Sequence, residues 1–204
     1  MSTDNETPSQ GSGRWLAIAG VLLAAVLIGS GIFIWTTGKT PTAMTVGGPF
    51  ALVNGDGKPV TEKDYRGKYM LIYFGYTYCP DVCPTTLNAV ADAMDKLGAK
   101  ADRIQPLFVT IDPKRDKPAV VKQYAAAFGT RVVGLTGTDQ QIAAVAKSYR
   151  VYYAEHRTGS GADDYTMDHS SVLYLMGPDG RFIAPIKADL AADALAAALL
   201  RFVS

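Results

Sequence analysis

The stretch YMLIYFGYTYCPDVCP, residues 69–84, joins a strong strand pattern to the most reactive side chains of the chain. Its first part, Tyr69–Tyr76, is almost wholly apolar and rich in aromatic residues, which is typical of a central strand covered on both faces. The only two cysteines of the 204 residues, Cys79 and Cys83, follow directly. The expected functional centre is therefore the turn between a buried strand and the next helix.

Strand and helix patterns alternate along the rest of the domain. The hairpin that opens the domain turns through residues 54–57, a sequence (NGDG) typical of tight turns. The predicted strands are Phe50–Val53, Lys58–Val60, Tyr69–Tyr76, Ile104–Ile111, Val132–Leu135, Ser171–Met176 and Arg181–Ile186; the predicted helices follow the cysteines to about Leu97 and span Pro118–Phe128, Thr138–Tyr149 and Asp189–Phe202. This order predicts an α/β sheet with helices on both faces, in which ligand sites lie at the carboxyl ends of the strands.

Pro84 decides where the helix after the cysteines is expected to begin. Pro84 fits best as the first helical residue, since proline is tolerated there and its ring would clash further inside. This placement makes Cys83 the N-cap and Cys79–Val82 a tight loop. The tight loop and the position of Cys83 at the positive end of the helix dipole both favour thiolate over thiol.

The N-terminal region contains a hydrophobic run, Trp15–Trp35, of 21 residues without charge. At about 1.5 Å per residue it can span a bilayer core of roughly 30 Å, and the tryptophans at its ends fit the interfacial belt. It lacks the small-residue cleavage pattern of a signal peptide. We therefore expect a polar cytoplasmic tail at 1–14, a transmembrane anchor at 15–35, a linker at 36–48 and one domain at 49–204, outside the cytoplasm.

Charge excludes one class of function. The formal net charge is only +1, and the basic residues are spread along the chain. Nucleic-acid binders usually carry a clustered basic surplus, so no nucleic-acid partner is expected.

The cysteine spacing, C-x-x-x-C, leaves several chemistries open. Two thiols together with one imidazole make a soft three-ligand site that suits copper. A structural zinc site needs a fourth ligand, and none is evident. We expect His169, just before a predicted strand, to be the third ligand, and His156 to be solvated. A stabilising disulfide between Cys79 and Cys83 and purely redox chemistry remain alternatives.

Three motifs together resemble the Sco/SenC family. They are YFGYTYCPDVCP at 73–84, VTIDPKRD at 109–116, and DHS at 168–170 followed by YLM at 174–176. The resemblance covers about Val46–Ile186 and implies a membrane-anchored, thioredoxin-like copper protein whose metal ligands fall on Cys79, Cys83 and His169. Two thiolates and one imidazole suit Cu(I), and Cu(II) as a second bound form stays open.

The resemblance also implies a role and a location. Such a protein is a copper chaperone that delivers copper to the CuA site of cytochrome c oxidase subunit II, with a periplasmic copper donor and a thiol reductant as further partners. Whether it is also an enzyme, a thiol–disulfide reductase, stays open. The expected location is the bacterial inner membrane with the domain in the periplasm; the mitochondrial inner membrane is less favoured, because the short N-terminus lacks a transit-peptide composition.

A different class of function uses the same thiols. A thiol–disulfide oxidoreductase would reduce the cysteines of the oxidase subunit, although the proline that faces the cysteines in thioredoxin-type enzymes is missing from Met167–Val172. A peroxiredoxin is not supported, because position 76 is tyrosine where that class needs threonine. The roles of Asp81, Asp112 and Met167 stay open between ligand support and ordinary turn or core positions.

Overall fold

The computed structural model describes residues 20–23, 26–27 and 46–203. The chain divides into two units, residues 1–44 and 45–204. In the first unit, the described residues of the predicted anchor are helical, and the rest of 15–35 lies outside the described residues. Within the part of the chain that the structure describes, no helix has both the length and the apolar character needed to cross a membrane.

The second unit contains nine strands and four α-helices among its described residues. The strands are β1 (Ala51–Asn54), β2 (Pro59–Thr61), β3 (Tyr69–Gly75), β4 (Ile104–Thr110), β5 (Val133–Thr136), β6 (Tyr153–Arg157), β7 (Tyr165–His169), β8 (Val172–Met176) and β9 (Phe182–Lys187). The helices are α1 (Val82–Leu97), α2 (Pro118–Ala126), α3 (Asp139–Tyr149) and α4 (Ala192–Leu200). The order of elements confirms the predicted α/β class.

Seven strands form one sheet in the order β2-β1-β5-β4-β3-β8-β9. Strand β3 lies parallel to β4 and antiparallel to β8, so it is central, as its apolar sequence predicts. Because β8 runs against β3, the start of β8 lies at the carboxyl end of β3. This topology brings the segment before β8 to the same edge of the sheet as the cysteines.

The two faces of β3 explain why its sequence does not alternate. Tyr69, Leu71 and Tyr73 pack in a core with residues of α1, α2 and α4. The intervening residues pack on the other face, in a second core that includes α3. Helices therefore cover both faces of the sheet, and a strand buried on both faces has a continuous apolar sequence.

A hydrogen-bonded capping box confirms the predicted start of α3. The Thr138 hydroxyl accepts the Gln141 N–H at 3.3 Å, and the Gln141 side chain accepts the Thr138 N–H at 2.8 Å. Such reciprocal bonds satisfy backbone donors that the first helical turn leaves free.

A separate two-stranded sheet, β6–β7, was not predicted. The two strands pair antiparallel from Tyr153 opposite His169 to Arg157 opposite Tyr165. Residues 154–164 are mostly polar and exposed, so their sequence carries no strong strand pattern. We refer to β6, β7 and the residues between them, 153–169, as the histidine hairpin.

Candidate metal centre

The cysteine loop, residues 76–81, leaves the carboxyl end of β3 and enters α1. It begins with a turn in which the Cys79 N–H donates to the Tyr76 carbonyl at 3.2 Å. Helix α1 starts at Val82 with Asp81 as its N-cap, and the Thr85 N–H donates to the Asp81 carbonyl at 3.1 Å. The prediction that Cys83 is the N-cap and Pro84 the first helical residue is therefore wrong by two positions.

The earlier helix start creates no proline clash. With Asp81 as the cap, Pro84 occupies the third helical position, whose N–H has no partner within the helix in any case. The carbonyl that its ring would meet belongs to Pro80, which precedes the helix. Proline is therefore compatible with the whole first turn, and its presence alone does not fix the first residue.

The expected thiolate character of Cys83 is also corrected. The Cys83 side chain has 0 % exposure, and this burial raises the pKa of the metal-free thiol to about 12. Cys79, by contrast, is partly exposed, and both residues are free thiols. Loss of hydration outweighs the helix dipole here, because the charged form of a thiol is costly in apolar surroundings.

His169 is the last residue of β7. Alternation along β7 puts it on the same side of the strand as Tyr165 and Met167, both of which are buried. Two residues separate it from β8, whose Leu173 lies opposite Tyr73 of β3. The imidazole therefore reaches the carboxyl end of β3, where the cysteine loop begins.

The three predicted ligand residues converge in the structure. The Nε2 atom of His169 lies 3.5 Å from Cys83 Sγ, and the Cys83 N–H donates to Cys79 Sγ at 3.4 Å. The two sulfurs and the imidazole nitrogen all lie within 4.8 Å of one another, a grouping that can hold a metal ion. Two soft sulfurs and an imidazole fit copper by donor type.

The imidazole is oriented for metal binding by its other nitrogen. The Nδ1 atom lies 3.2 Å from the Ser170 carbonyl, and Nδ1–H donation to that carbonyl leaves the Nε2 lone pair facing Cys83. Burial lowers the pKa of His169, which favours the neutral ring that binds metals. A hydrogen bond at the second nitrogen is the usual device that fixes the tautomer of a metal-binding histidine.

Aromatic rings and a glycine enclose this group. Tyr73 and Tyr76 both stand edge-on to the His169 ring, with centroids 6.0 and 6.2 Å away. The Tyr73 hydroxyl also lies 3.8 Å from Cys83 Sγ. A Cβ atom at Gly75 would approach that sulfur to 2.7 Å, so only glycine leaves room for it. Tyr73, Gly75 and Tyr76 of the run YFGY thus form a wall of the site at the end of the strand.

The other candidate residues have different surroundings. Asp81 caps α1 through its backbone, and Met167 lines a cavity of about 250 Å³ that also contacts Asp112. His156 is exposed and pairs with Asp168 at 2.8 Å, in agreement with the prediction that it is solvated. Asp112 is buried and bonds to Arg115, a residue that the sequence analysis did not single out.

A central mixed sheet with helices on both faces, and two thiols and an imidazole at the end of its middle strand, define a thioredoxin-like domain with a soft metal-binding group. The SCO1/SenC family model matches residues 38–204. The chain belongs to this family, as its three motifs predict.

Known relatives agree with this assignment. The chain is 43 % identical over 147 residues to the mitochondrial protein SCO1 homolog 1 of Arabidopsis thaliana, which covers 72 % of this chain. Among solved structures, ScoI of Bradyrhizobium japonicum with copper bound is 44 % identical, with a TM-score of 0.71, covering 77 % of this chain and 99 % of that one. BsSco, a member of the Sco family of cytochrome c oxidase assembly proteins, is 26 % identical with a TM-score of 0.59, covering 77 % and 92 %.

The lengths of these proteins differ. The chain spans only 43 % of the Arabidopsis relative's length, but nearly all of the copper-bound Bradyrhizobium structure. The residues that the family model matches, 38–204, include both the cysteine loop and the histidine hairpin.

Proposed function

We propose that this chain binds one copper ion through Cys79, Cys83 and His169 and acts as a copper chaperone. The observation that carries the proposal is the convergence of two sulfurs and one imidazole nitrogen within 4.8 Å. Support comes from the copper-bound Bradyrhizobium relative, which covers the same domain. Two thiolates and one imidazole suit Cu(I) and leave a position open for a ligand from a receiving protein.

The different surroundings of the three residues support a distinct part for each in the proposed site. Cys83 is fully buried and is held by the first turn of α1, so it supplies the fixed inner ligand. Cys79 lies in the loop and is partly exposed, so it supplies the outer ligand that an incoming thiol can replace. His169 enters from a separate sheet and completes the group.

We further propose that the receiving site is the CuA site of cytochrome c oxidase subunit II. BsSco, a relative of this chain, belongs to a family of cytochrome c oxidase assembly proteins. The hydrophobic run at 15–35 would anchor the chain in the bacterial inner membrane and hold the domain in the periplasm, close to that subunit. A mitochondrial inner membrane location is the alternative, since the Arabidopsis relative is mitochondrial.

Metal analysis of the reduced full chain tests copper binding directly. We expect one copper per chain for the wild type, and an affinity lower by orders of magnitude for Cys79→Ala, Cys83→Ala and His169→Ala. His156→Ala is the matched control, because it removes the only other histidine, which is exposed. Unchanged Cu(I) affinity in His169→Ala would exclude the histidine as a ligand.

Delivery needs a separate experiment. The copper-loaded chain is mixed with a metal-free, reduced CuA domain of subunit II, and the two proteins are separated and analysed for copper. We expect copper to move to the CuA domain, and to stay with the chaperone when the cysteines of that domain are replaced by serine. Copper that remains on the chain in the presence of the intact domain would contradict delivery.

A second candidate function is thiol–disulfide exchange, favoured by two free thiols of which one is partly exposed. A Cys79 thiolate would attack a disulfide of the oxidase subunit, and Cys83 would resolve the mixed disulfide, leaving two thiols on the substrate and a Cys79–Cys83 disulfide. Reduction of an oxidised CuA domain by the reduced, metal-free chain would support this role. The disulfide form of the chain is expected not to bind copper until a partner reduces it, because both sulfurs are then used.

A further inference from the structure

Arg115 lies in the loop between β4 and α2, and its side chain is only 7 % exposed. Its Nε donates to Asp112 Oδ2 at 2.5 Å, and Asp112 in turn accepts the Tyr165 hydroxyl at 2.8 Å. The arginine and its carboxylate are therefore buried together as a hydrogen-bonded pair. Such a pair is costly to break, because removing either partner leaves a buried charge uncompensated.

The guanidinium group of Arg115 contacts the histidine hairpin at the start of β7. Its NH1 donates to the Tyr165 carbonyl at 3.0 Å and to the Asp163 carbonyl at 3.3 Å. The guanidinium carbon also lies 3.6 Å from the centre of the Tyr165 ring. Tyr165 is four residues before His169 on the same strand, so these contacts fix the strand that carries the imidazole.

The same guanidinium group contacts the cysteine loop. Its central carbon lies 4.7 Å from the centre of the Tyr78 ring and 5.8 Å from that of Tyr76. Tyr78 directly precedes Cys79 and is 62 % exposed. Arg115 is thus in contact with both segments that supply ligands, although it touches none of the ligand atoms.

The topology makes this contact important. Within the described residues, β7 is hydrogen-bonded as a strand only to β6, and neither belongs to the seven-stranded sheet that positions the cysteines. The position of His169 relative to the two sulfurs therefore depends on side-chain contacts and on the short connection to β8.

We propose that Arg115 is a positioning residue that holds the histidine hairpin against the cysteine loop and so sets the distance from His169 to the two thiols. The proposal rests on the copper site proposed above. A planar guanidinium group can donate in several directions while its faces stack on aromatic rings, which a lysine ammonium cannot do. The positioning role therefore requires arginine at this position, and lysine would not supply it.

Arg115→Lys is the first test, because lysine keeps a positive charge next to Asp112. We expect the Cu(I) affinity of the reduced full chain, measured by competition with a chelator, to fall about 10- to 100-fold, as for other residues that orient metal ligands. Lys114→Gln is the matched control: Lys114 is the neighbouring residue and forms an exposed ion pair with Glu155 of the same hairpin. We expect its affinity to equal that of the wild type.

A double-mutant cycle with His169→Ala separates positioning from general damage. If Arg115 acts by placing the imidazole, Arg115→Lys has no further effect on Cu(I) affinity once His169 is alanine. An equal loss in both backgrounds, or wild-type affinity in Arg115→Lys, would overturn the inference. Wild-type affinity in His169→Ala itself would instead reject the proposed copper site.

A metal-free readout completes the test. The chain has two histidines, so the imidazole signals of His169 in NMR spectra are identified by their persistence in His156→Ala. Two tyrosine rings stand edge-on to His169 in the folded protein, and we expect Arg115→Lys to move its signals toward those of a free histidine while Lys114→Gln leaves them in place. Unmoved signals in Arg115→Lys would contradict the positioning role.

A second variant guards against a failure to fold. Asp112→Asn combined with Arg115→Gln removes both buried charges together and keeps an oxygen for the Tyr165 hydroxyl. We expect the same fall in Cu(I) affinity and the same movement of the His169 signals. Wild-type values for both quantities in this double variant would also overturn the inference.

Discussion

His169 Nε2 lies 3.5 Å from Cys83 Sγ, although 86 positions of sequence separate the two residues. Cys83 reaches this point through the end of the central strand and the first turn of α1. His169 reaches it through a hairpin outside the main sheet. The contact therefore exists only in the completed fold, and a local error in either segment would break it.

The first prediction concerns the unequal burial of the two thiols. In the reduced, metal-free chain, iodoacetamide should modify Cys79 much faster than Cys83, because Cys83 is buried and burial raises its pKa to about 12. Mass spectrometry of digested samples taken over time measures both rates. The single variants Cys79→Ser and Cys83→Ser serve as controls, and equal rates at the two positions would contradict the buried placement of Cys83.

The second prediction concerns Gly75, the glycine next to the buried sulfur. In Gly75→Ala the new Cβ would lie 2.7 Å from Cys83 Sγ and 3.1 Å from the Phe108 ring. We expect a stability loss of about 1–3 kcal/mol from overpacking, together with weaker copper binding because the sulfur must move.

Gly134→Ala provides the matched control for Gly75→Ala. Gly134 lies in β5, and its added Cβ would collide with the Val121 carbonyl oxygen, away from the ligands. This variant should lose stability in urea unfolding but keep the copper affinity of the wild type. If the two variants weaken copper binding equally, contact between the new Cβ at Gly75 and the Cys83 sulfur is not the cause.

The sequence was sufficient for the main sheet and for the three residues, Cys79, Cys83 and His169, that the structure brings together. Strand β3 is recognisable because burial on both faces demands an uninterrupted apolar run, and the α3 start is recognisable because Thr138 and Gln141 form a local capping box. Both features depend on interactions close in sequence or on simple burial. Such patterns survive without knowledge of the tertiary structure.

Three features of the site needed the structure. The histidine hairpin has polar, exposed residues in β6, such as Glu155 and His156, so its strands show little hydrophobic pattern. The state of Cys83 depends on how deeply α1 packs, and spacing does not report that depth. Arg115 was missed because its partners come from two distant segments, and a lone arginine in a charged stretch reads as a surface residue.

The third prediction uses the buried carboxyl group of Asp116. It accepts hydrogen bonds from the Thr77 N–H at 3.0 Å, the Thr77 hydroxyl at 2.6 Å and the Thr110 hydroxyl at 2.5 Å, yet burial raises its pKa above the ordinary 3.8. A raised pKa means that the folded state holds its proton more tightly than the unfolded state. The contribution of Asp116 to stability is therefore fully present below pH 3.8 and is lost as the pH rises through the folded-state pKa.

Urea unfolding of the metal-free chain across that range checks the sign. The free energy of unfolding of the wild type, relative to Asp116→Asn, should decrease from about pH 4 upward. Asp102→Asn gives the opposite control, because a hydrogen bond from Arg131 lowers the pKa of the exposed Asp102. Relative to Asp102→Asn, the wild type should gain stability with rising pH. If the stability difference changed in the same direction with pH for Asp116 and Asp102, the raised pKa of Asp116 would be refuted.

The fourth prediction compares two helix starts. Asp81 caps α1 but its side chain makes no capping hydrogen bond, so Asp81→Ala should change stability by less than about 0.5 kcal/mol. Thr138→Ala removes a capping bond at α3 and should cost about 1 kcal/mol. Thermal or urea unfolding measures both, and a larger loss in Asp81→Ala than in Thr138→Ala would show that Asp81 has a structural role beyond its backbone.

The unequal exposure of the two cysteines has a consequence for the order in which partner proteins can reach the proposed site. Cys83 lies on its buried inner side, and Cys79 lies on its partly exposed outer side. If copper enters and leaves past Cys79, a donor protein and a receiving protein would need the same position and would have to bind one after the other. The loaded chain would then carry the ion unaccompanied between the two encounters.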